Sequence, residues 1–323
     1  MKRRDFVTLL GATASLTCGP LAVRAQPDRA PRIGVLLLDQ AEAESLQTGL
    51  RAGLGQFGFV EGQNIRFEVR SAGGKLDQLP SLAAELGGVK VDVIVALFTP
   101  SVLAAKQATG EIPIVFLAGD PLGTGIVSSL ARPSGNLTGL STMGAELQAK
   151  CVELLRDMLP SLRRVAALGY APDPFSKPFV EQVQLAGRAT GIEINPIMML
   201  KGPDEITRAF DVIEEARAGA VVMQGTFSTK QVADLALKHR LPAATNVRSF
   251  TEAGGLMSYG YQGAALYQHM GFIVQKLLQG TKPAQIPIEQ PTKFELVINL
   301  KTAHALSITV PTTLLARADE VIE

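Results

Sequence analysis

Eight short apolar runs rich in Val and Ile alternate with longer segments of helical period, in two sets of four. The runs of the first set begin near Ile33, Ile65, Val91 and Ile112, at steps of 32, 26 and 21 residues. Those of the second set begin near Val165, Ile192, Ala220 and Leu241, at steps of 27, 28 and 21 residues. Continuous apolar strands separated by helices are typical of parallel sheets that are covered on both faces. The sequence therefore predicts an α/β protein.

The repeated spacing predicts two similar lobes, each a Rossmann-like, doubly wound sheet. A stretch rich in Gly, Ser and Thr, GTGIVSSLARPSGNLTGLST, separates the two sets, and we expect the chain to cross between the lobes at its end. The tail after the second set is too short for a third lobe, so its strands should join the existing sheets. We predict a first lobe of residues 32–140 and 256–288, a second lobe of residues 141–255 and 289–323, and a hinge of several crossings.

The first residues, MKRRDFVTLL, place three basic side chains before an apolar span that is too short to cross a bilayer. The span closes with small residues up to Ala25, which is the pattern of a cleaved secretory signal. The paired arginines resemble a twin-arginine export signal, and an ordinary secretory signal is the alternative. We predict a signal peptide at residues 1–25, cleavage near Ala25 and a periplasmic mature protein.

The charge balance bears on the choice of partner. Cleavage after Ala25 would leave 298 of the 323 residues, with 27 basic and 29 acidic side chains, so the mature chain is close to neutral. This excludes nucleic acid or an anionic membrane surface as the expected partner. Only Cys151 would remain, so we expect no internal disulfide. No later run is long enough to span a membrane, so no membrane insertion of the mature chain is expected.

Motifs of catalysis are missing from the sequence. Residues 53–58 match G-x-G-x-x-G, but they follow a predicted helix instead of a strand, so a helix end is favoured over a nucleotide site. The three histidines have no ligand-like spacing, and G-x-S-x-G, C-x-x-C and H-E-x-x-H are absent. We predict no enzyme activity, no metal and no cofactor.

Polar and aromatic residues directly follow the apolar runs, where open α/β sheets bind their ligands. The candidate ligand-binding residues at these positions are Asp39, Gln40, Thr99, Ser101, Asp120, Tyr170, Asp173, Phe227, Asn246 and Tyr259.

Two of these positions share one pattern, a capping residue followed by proline. Thr99-Pro100 and Asp120-Pro121 are both expected to begin a helix. The free amides of such a helix start suit a ligand carboxylate near Thr99 and Ser101, whereas the charge of Asp120 suits an ammonium group. The alternative is that both residues only cap their helices.

Four stretches resemble a family of ABC-transporter substrate-binding proteins. They are VDVIVALFTPSVLAAKQAT, IPIVFLAGDPLGTGIVSSLARPSGNLTGLS, EAGGLMSYG and QPTKFELVINLKTAHALSITVPTTLLARADEVIE. The resemblance covers essentially the whole mature chain. It implies the type I periplasmic-binding-protein fold, in which two Rossmann-like lobes close on a solute at a three-segment hinge. It also implies binding of a small molecule, in some relatives an aromatic amino acid.

The resemblance assigns family elements to specific residues. The G-D-P element falls on Gly119-Asp120-Pro121, the T-P element on Thr99-Pro100 and the S-Y-G element on Ser258-Tyr259-Gly260. The family's W-N-P-like loop reads Gly169-Tyr170-Ala171-Pro172 here, which leaves the ligand open. Candidate walls for a flat apolar group are Tyr170, Phe175, Phe227, Phe250 and Tyr259.

By resemblance, the expected partners are a small-molecule ligand and an ABC transporter permease, and the protein is expected to act as a monomer. Two alternatives stay open at this point. One is a ligand-sensing subunit for a receptor, and the other is an α/β enzyme with an unrecognised site.

Overall fold

The first lobe contains a five-stranded parallel sheet. The computed structural model describes residues 29–38, 40 and 43–323. The strands of this sheet are β1 (Arg32–Leu37), β2 (Arg66–Ser71), β3 (Val93–Leu97), β4 (Ile114–Ala118) and β5 (Leu137–Ser141), in the order β2-β1-β3-β4-β5. All neighbouring pairs are parallel. Every side chain of β3 and β4 is buried, as a sheet covered on both faces requires.

The second lobe contains a seven-stranded sheet. Its strands are β6 (Arg164–Tyr170), β7 (Glu193–Leu200), β8 (Ala220–Met223), β9 (Ala243–Thr245), β10 (Met257–Tyr261), β11 (Phe294–Asn299) and β12 (Glu320–Ile322). The order is β12-β11-β10-β9-β8-β6-β7, and the pair β10–β11 is antiparallel. The predicted fold class, two parallel α/β lobes, is confirmed.

Helices cover both faces of the two sheets. Those of the first lobe are α1 (Ala43–Gly55), α2 (Leu79–Gly88), α3 (Phe98–Ala108) and α9 (Gly263–Leu278). Those of the second lobe are α4 (Gly144–Met158), α5 (Ser176–Thr190), α6 (Ile206–Glu215), α7 (Lys230–Lys238), α8 (Arg248–Glu252), α10 (Leu300–Ala305) and α11 (Thr312–Leu315). Each lobe has two apolar clusters, one on each face of its sheet.

The chain passes between the lobes three times. It crosses after β5, again between β10 and α9, and a third time before β11, where Glu289 forms a bridge with Leu140 of the first sheet. One predicted boundary needs correction, because residues 257–261 were assigned to the first lobe. They form β10, whose backbone pairs with β9 and β11, so this segment lies in the second sheet and only α9 returns to the first lobe.

The glycine-rich segment at residues 53–58 ends α1, and glycine is required there by helix packing. A Cβ atom at Gly53 would lie 2.1 Å from the carbonyl oxygen of Gln268, and one at Gly49 would lie 2.4 Å from Cβ of Tyr267. Both contacts are with α9, so glycine lets α1 and α9 pack backbone to backbone. The position of the motif argues for packing and against a phosphate loop, which would follow a strand.

The predicted signal peptide at residues 1–25 lies outside the described residues, as does Asp39. Within the part of the chain that the structure describes, no helix is both long and apolar enough to cross a membrane.

Candidate functional site

A cavity of about 180 Å³ lies between the lobes, beyond the carboxyl ends of β3, β4, β6, β8 and β9. Ligands of open α/β sheets bind at this edge. The first lobe and the first crossing contribute Leu38, Phe98, Thr99, Pro100, Gly119, Thr142 and Gly144 to its wall. The remaining lining residues are Asp173, Phe175, Gln224, Gly225, Thr226, Ser228, Thr229, Asn246, Val247, Ser249 and Tyr261.

Asp173 places a buried carboxylate in the cavity wall. The residue is 7% exposed, and its Oδ1 accepts a hydrogen bond from the backbone amide of Phe175 at 2.9 Å. Burial raises the pKa of Asp173 to about 6, against a smaller lowering by that amide. No cationic side chain among the described residues forms an ion pair with it. A ligand cation would supply the missing countercharge.

Gln224 follows β8 directly and is 1% exposed. Its Oε1 accepts hydrogen bonds from the backbone amide of Tyr170 and from Oγ of Ser176, the latter at 3.2 Å. Its Nε2 has no hydrogen-bond partner among the described residues. Because the oxygen is occupied by the protein, the group that Gln224 offers to the cavity is a donor.

Asn246 follows β9 and is also fixed by a buried amide. Its Oδ1 accepts a hydrogen bond of 2.7 Å from Nε2 of Gln148, which lies on α4 and is fully buried. Hydroxyl groups of Thr226, Ser228 and Thr229 lie on the same wall. The second lobe thus lines the cavity mainly with polar side chains.

The first lobe presents the start of α3 and an aromatic ring. Phe98 has φ = 64°, a left-handed backbone conformation that costs a bulky residue about 1–3 kcal/mol. The helix was expected to begin with Thr99 as its cap, but it begins two residues earlier, with Leu97 at the N-cap and no capping side chain. The amides at this end are therefore left without a side-chain acceptor.

The two lobes touch at the cavity through Gly119 and Phe175. A Cβ atom at Gly119 would lie 2.6 Å from the ring of Phe175, so only glycine fits at this contact. Gly119 follows β4 of the first lobe, whereas Phe175 precedes α5 of the second. Phe175 of the second lobe therefore lines the cavity and also contacts the first lobe.

Three of the ten predicted site residues line the cavity, namely Thr99, Asp173 and Asn246. Ser101 lies in α3, fully buried, with its hydroxyl unpartnered among the described residues. Gln40 is exposed and does not line the cavity, and Asp39 lies outside the described residues.

Asp120 does not begin a helix, which corrects the sequence-based expectation. The chain turns after it, and its Oδ1 accepts a hydrogen bond of 2.8 Å from the amide of Gly123. Pro121 lies in this turn, which shows that the Asp-Pro pattern alone did not distinguish a turn from a helix start. The side chain is not part of the cavity wall.

Most of the predicted aromatic wall packs inside the second lobe. Phe227 and Phe250 are buried in one of its apolar clusters, and Tyr170 meets Phe227 edge to face at 6.2 Å. Tyr259 packs in the other cluster, beside Phe294. The strand β10 continues to Tyr261, which therefore reaches the cavity in place of Tyr259.

Phe98 and Gln224 were missed in the sequence because both were read as the ends of apolar runs. A signal was available for Gln224, since it is a polar side chain at the carboxyl end of the run AVVMQG. Phe98 gave no such signal.

Comparison with known proteins agrees with the fold. The profile of the family described as ABC transporter substrate binding protein matches residues 33–322. A tyrosine-binding protein of Clostridioides difficile (strain R20291) is 25% identical over 284 residues, which are 84% of this chain and 79% of that protein.

Two solved structures have the same fold with a TM-score of 0.85. One is a conserved domain protein from Vibrio cholerae, 25% identical, and the match covers 91% of this chain and 100% of that one. The other is an ABC domain in complex with L-Trp from Streptococcus pneumonia, 24% identical with the same coverage.

Fold and cavity together define a two-lobed binding protein. The chain belongs to the ABC transporter substrate-binding protein family. The predicted family and the predicted function, capture of a small molecule for an ABC importer, are confirmed.

Proposed function

We propose that the ligand is a zwitterionic amino acid, with an aromatic side chain as the first class to test. The observation that carries the proposal is Asp173, a buried carboxylate in the cavity without a cationic partner among the described residues. An ammonium group beside it would restore the countercharge and form charge-assisted hydrogen bonds. The ammonium partner that the sequence suggested, Asp120, is replaced by Asp173 in this proposal.

The first lobe supports the other end of the head group. The amides at the start of α3, near Phe98 and Thr99, have no side-chain cap and favour an anion such as a carboxylate. The rings of Phe98 and Phe175 border the same cavity and suit a flat apolar group. An apolar cavity of about 150 Å³ admits benzene, so the volume here is suited to a compact ligand with one ring system.

Two relatives add support, because one is named as a tyrosine-binding protein and another was solved with L-Trp. The test is to denature the purified protein, identify the released compounds by mass spectrometry, and measure binding of L-tyrosine, L-tryptophan and the other amino acids by calorimetry. The proposal predicts micromolar or tighter binding of at least one aromatic amino acid. Binding of a sugar or a dicarboxylate, with no amino acid bound, would contradict it.

We also propose that the protein works in the periplasm after export by the twin-arginine route, and that it delivers its ligand to a permease as a monomer. Support for export comes from the basic and apolar pattern of residues 1–25. Replacing Arg3 and Arg4 by Lys should block export, because that pathway reads the guanidinium pair. An undiminished periplasmic yield in a strain without the twin-arginine translocase would reject the route. Light scattering measures the molar mass of the mature protein in solution, and the proposal predicts the mass of one chain.

A further inference from the structure

Two features of Gln224 distinguish it from the other polar residues of the cavity. The first is an unpartnered donor, since Nε2 is buried and forms no hydrogen bond within the described chain. A buried donor without a partner is unfavourable for the ligand-free protein, and a ligand acceptor removes this penalty.

The second feature is that its orientation is fixed. Backbone N–H of Tyr170 and the hydroxyl of Ser176 both donate to Oε1, and a backbone N–H cannot accept, so the amide cannot be flipped without losing a contact. The one hydroxyl hydrogen of Ser176 is shared between this oxygen and the carbonyl oxygen of Tyr170, so the N–H of Tyr170 is the contact that fixes the amide. The protein thus holds the oxygen of Gln224, which leaves the NH₂ group as the unused donor of a residue that lines the cavity.

Asp173 is anchored on the same residue as Gln224. Its backbone N–H donates to the carbonyl oxygen of Tyr170 at 3.0 Å, while the N–H of Tyr170 donates to Gln224. An anionic acceptor and a neutral donor therefore lie on neighbouring parts of one wall. This pair is complementary to an ammonium group and a carboxylate that are bonded to the same carbon atom of a ligand.

We infer that Gln224 is a specificity-determining residue that donates Nε2–H to the carboxylate of the ligand, beside the ammonium held by Asp173. The inference rests on the proposed function and deepens it. The second lobe then holds both charged groups of the head group, and the start of α3 reaches the second carboxylate oxygen from the first lobe. A ligand without the carboxylate leaves the buried donor unpaired and is rejected.

The test uses three kinds of probe that differ in one group each. L-tyrosine and L-tryptophan carry both charges, tyramine and tryptamine lack the carboxylate, and the corresponding arylpropionic acids lack the ammonium. Binding of each is measured by calorimetry at pH 8 to the wild-type protein and to Gln224→Glu. This variant keeps an oxygen for Tyr170 and Ser176 and replaces only the donor. Gln224→Met is a second, uncharged variant without the donor, and Gln184→Glu on α5, away from the cavity, is the matched control.

Gln224→Glu should weaken binding of the amino acids and the arylpropionic acids by about thirty-fold or more, and change binding of the amines by less than about threefold. Gln224→Met should change the same two classes in the same direction, and Gln184→Glu should change none. Equal losses for acids and amines, or no loss for the acids, would overturn the inference while leaving the amino-acid proposal intact.

If the wild-type protein binds no amino acid, the proposed function fails, and the arylpropionic acids still decide the role of Gln224. Loss of their binding in Gln224→Glu supports the inference. Unchanged binding in the variant, or no binding to the wild-type protein, overturns it.

Discussion

The two lobes have the same framework but contribute different chemistry to the cavity between them. Among the residues that the structure describes, the first lobe contributes Leu38, Phe98, Thr99, Pro100 and Gly119 to the wall, and only Thr99 of these has a polar side chain. The wall from the second lobe includes a carboxylate, two fixed amides and several hydroxyl groups. Similar strand spacing thus gave two similar sheets, while the residues at their carboxyl ends diverged.

This difference in lining residues indicates that the two lobes have different roles in ligand binding. A lobe that holds the charged groups of a ligand determines which head group is bound, and a lobe with apolar and backbone groups covers the ligand and excludes water. A ligand that contacts both walls binds the closed state more tightly than the open state, and this difference in binding free energy favours closure. Five measurements test whether the two lobes differ in this way.

Asp173→Asn should have the largest effect, because it removes one partner of a buried charged pair. The expected loss of affinity for an aromatic amino acid is about 2–5 kcal/mol, which corresponds to roughly thirty-fold to several thousand-fold. The ligand-free variant should melt at the same temperature as the wild type or higher, since the buried charge is gone. Calorimetry and a thermal melt test both statements. Wild-type affinity would show that the second lobe does not bind an ammonium at this residue.

Gly119→Ala tests the first lobe by adding one methyl group where the lobes touch. The new Cβ would lie 2.6 Å from the ring of Phe175, and overpacking of this kind costs about 1–3 kcal/mol. We expect an affinity loss of roughly five-fold to a hundred-fold and less compaction in small-angle scattering on ligand addition. Gly55→Ala, which meets nothing within 4 Å, is the matched control. Unchanged affinity and compaction would mean that the lobes do not need this contact to close.

The pH dependence of binding should follow Asp173. Its pKa is raised to about 6 by burial, so the carboxylate is mostly protonated at pH 5 and cannot pair with an ammonium. Affinity should fall about tenfold between pH 7 and pH 5, with protons released on binding near pH 6. Calorimetry in two buffers of different ionisation enthalpy measures the released protons. Equal affinity at both pH values would count against an ionised Asp173 in the complex.

The same group gives the ligand-free protein a stability trend with a definite sign. Because the folded-state pKa lies above the ordinary value of 3.8, the folded state binds the proton more tightly than the unfolded chain does. The contribution is fully present below pH 3.8 and is lost as the pH rises to about 6. Urea denaturation of wild type and Asp173→Asn over this range should show the decline in the wild type only.

Asp120→Asn should have the smallest effect. The side chain accepts from Gly123 within a turn and does not line the cavity, and asparagine can accept the same hydrogen bond. We expect less than a twofold change in affinity and a change in stability below about 1 kcal/mol. A large loss of affinity at an unchanged melting temperature would show that Asp120 contacts the ligand and that the first lobe also contributes a charged group.

Much of the fold was predictable because burial on both faces of a sheet leaves a continuous apolar run in the sequence. The eight predicted strands begin within two residues of those in the structure. The strand β5, which was not predicted, reads LTGLS and lacks such a run. A Cβ atom at its Gly139 would lie 2.1 Å from the carbonyl oxygen of Phe116 on β4. The backbones of β4 and β5 therefore approach closely at a position where a large apolar side chain would not fit.

The candidate site was less predictable, because position after a strand does not give the direction of a side chain. Asp173 and Asn246 face the cavity, whereas Phe227 turns into the core of its lobe and Asp120 into its own turn. Tyr259 was predicted to line the cavity, but β10 extends two residues further and it is Tyr261 that does so.

Two α/β lobes, repeated crossings and the sheet edge at which the cavity lies were predictable, because they follow from hydrophobic periodicity and from the direction of parallel strands. Which groups meet across that edge depends on the packing of the folded chain. The burial of the Asp173 carboxylate, the fixed amide of Gln224 and the contact of Gly119 with Phe175 each depend on the packing of the folded chain. Such contacts set burial and hydrogen bonding, and these quantities are not encoded in the local pattern of residues.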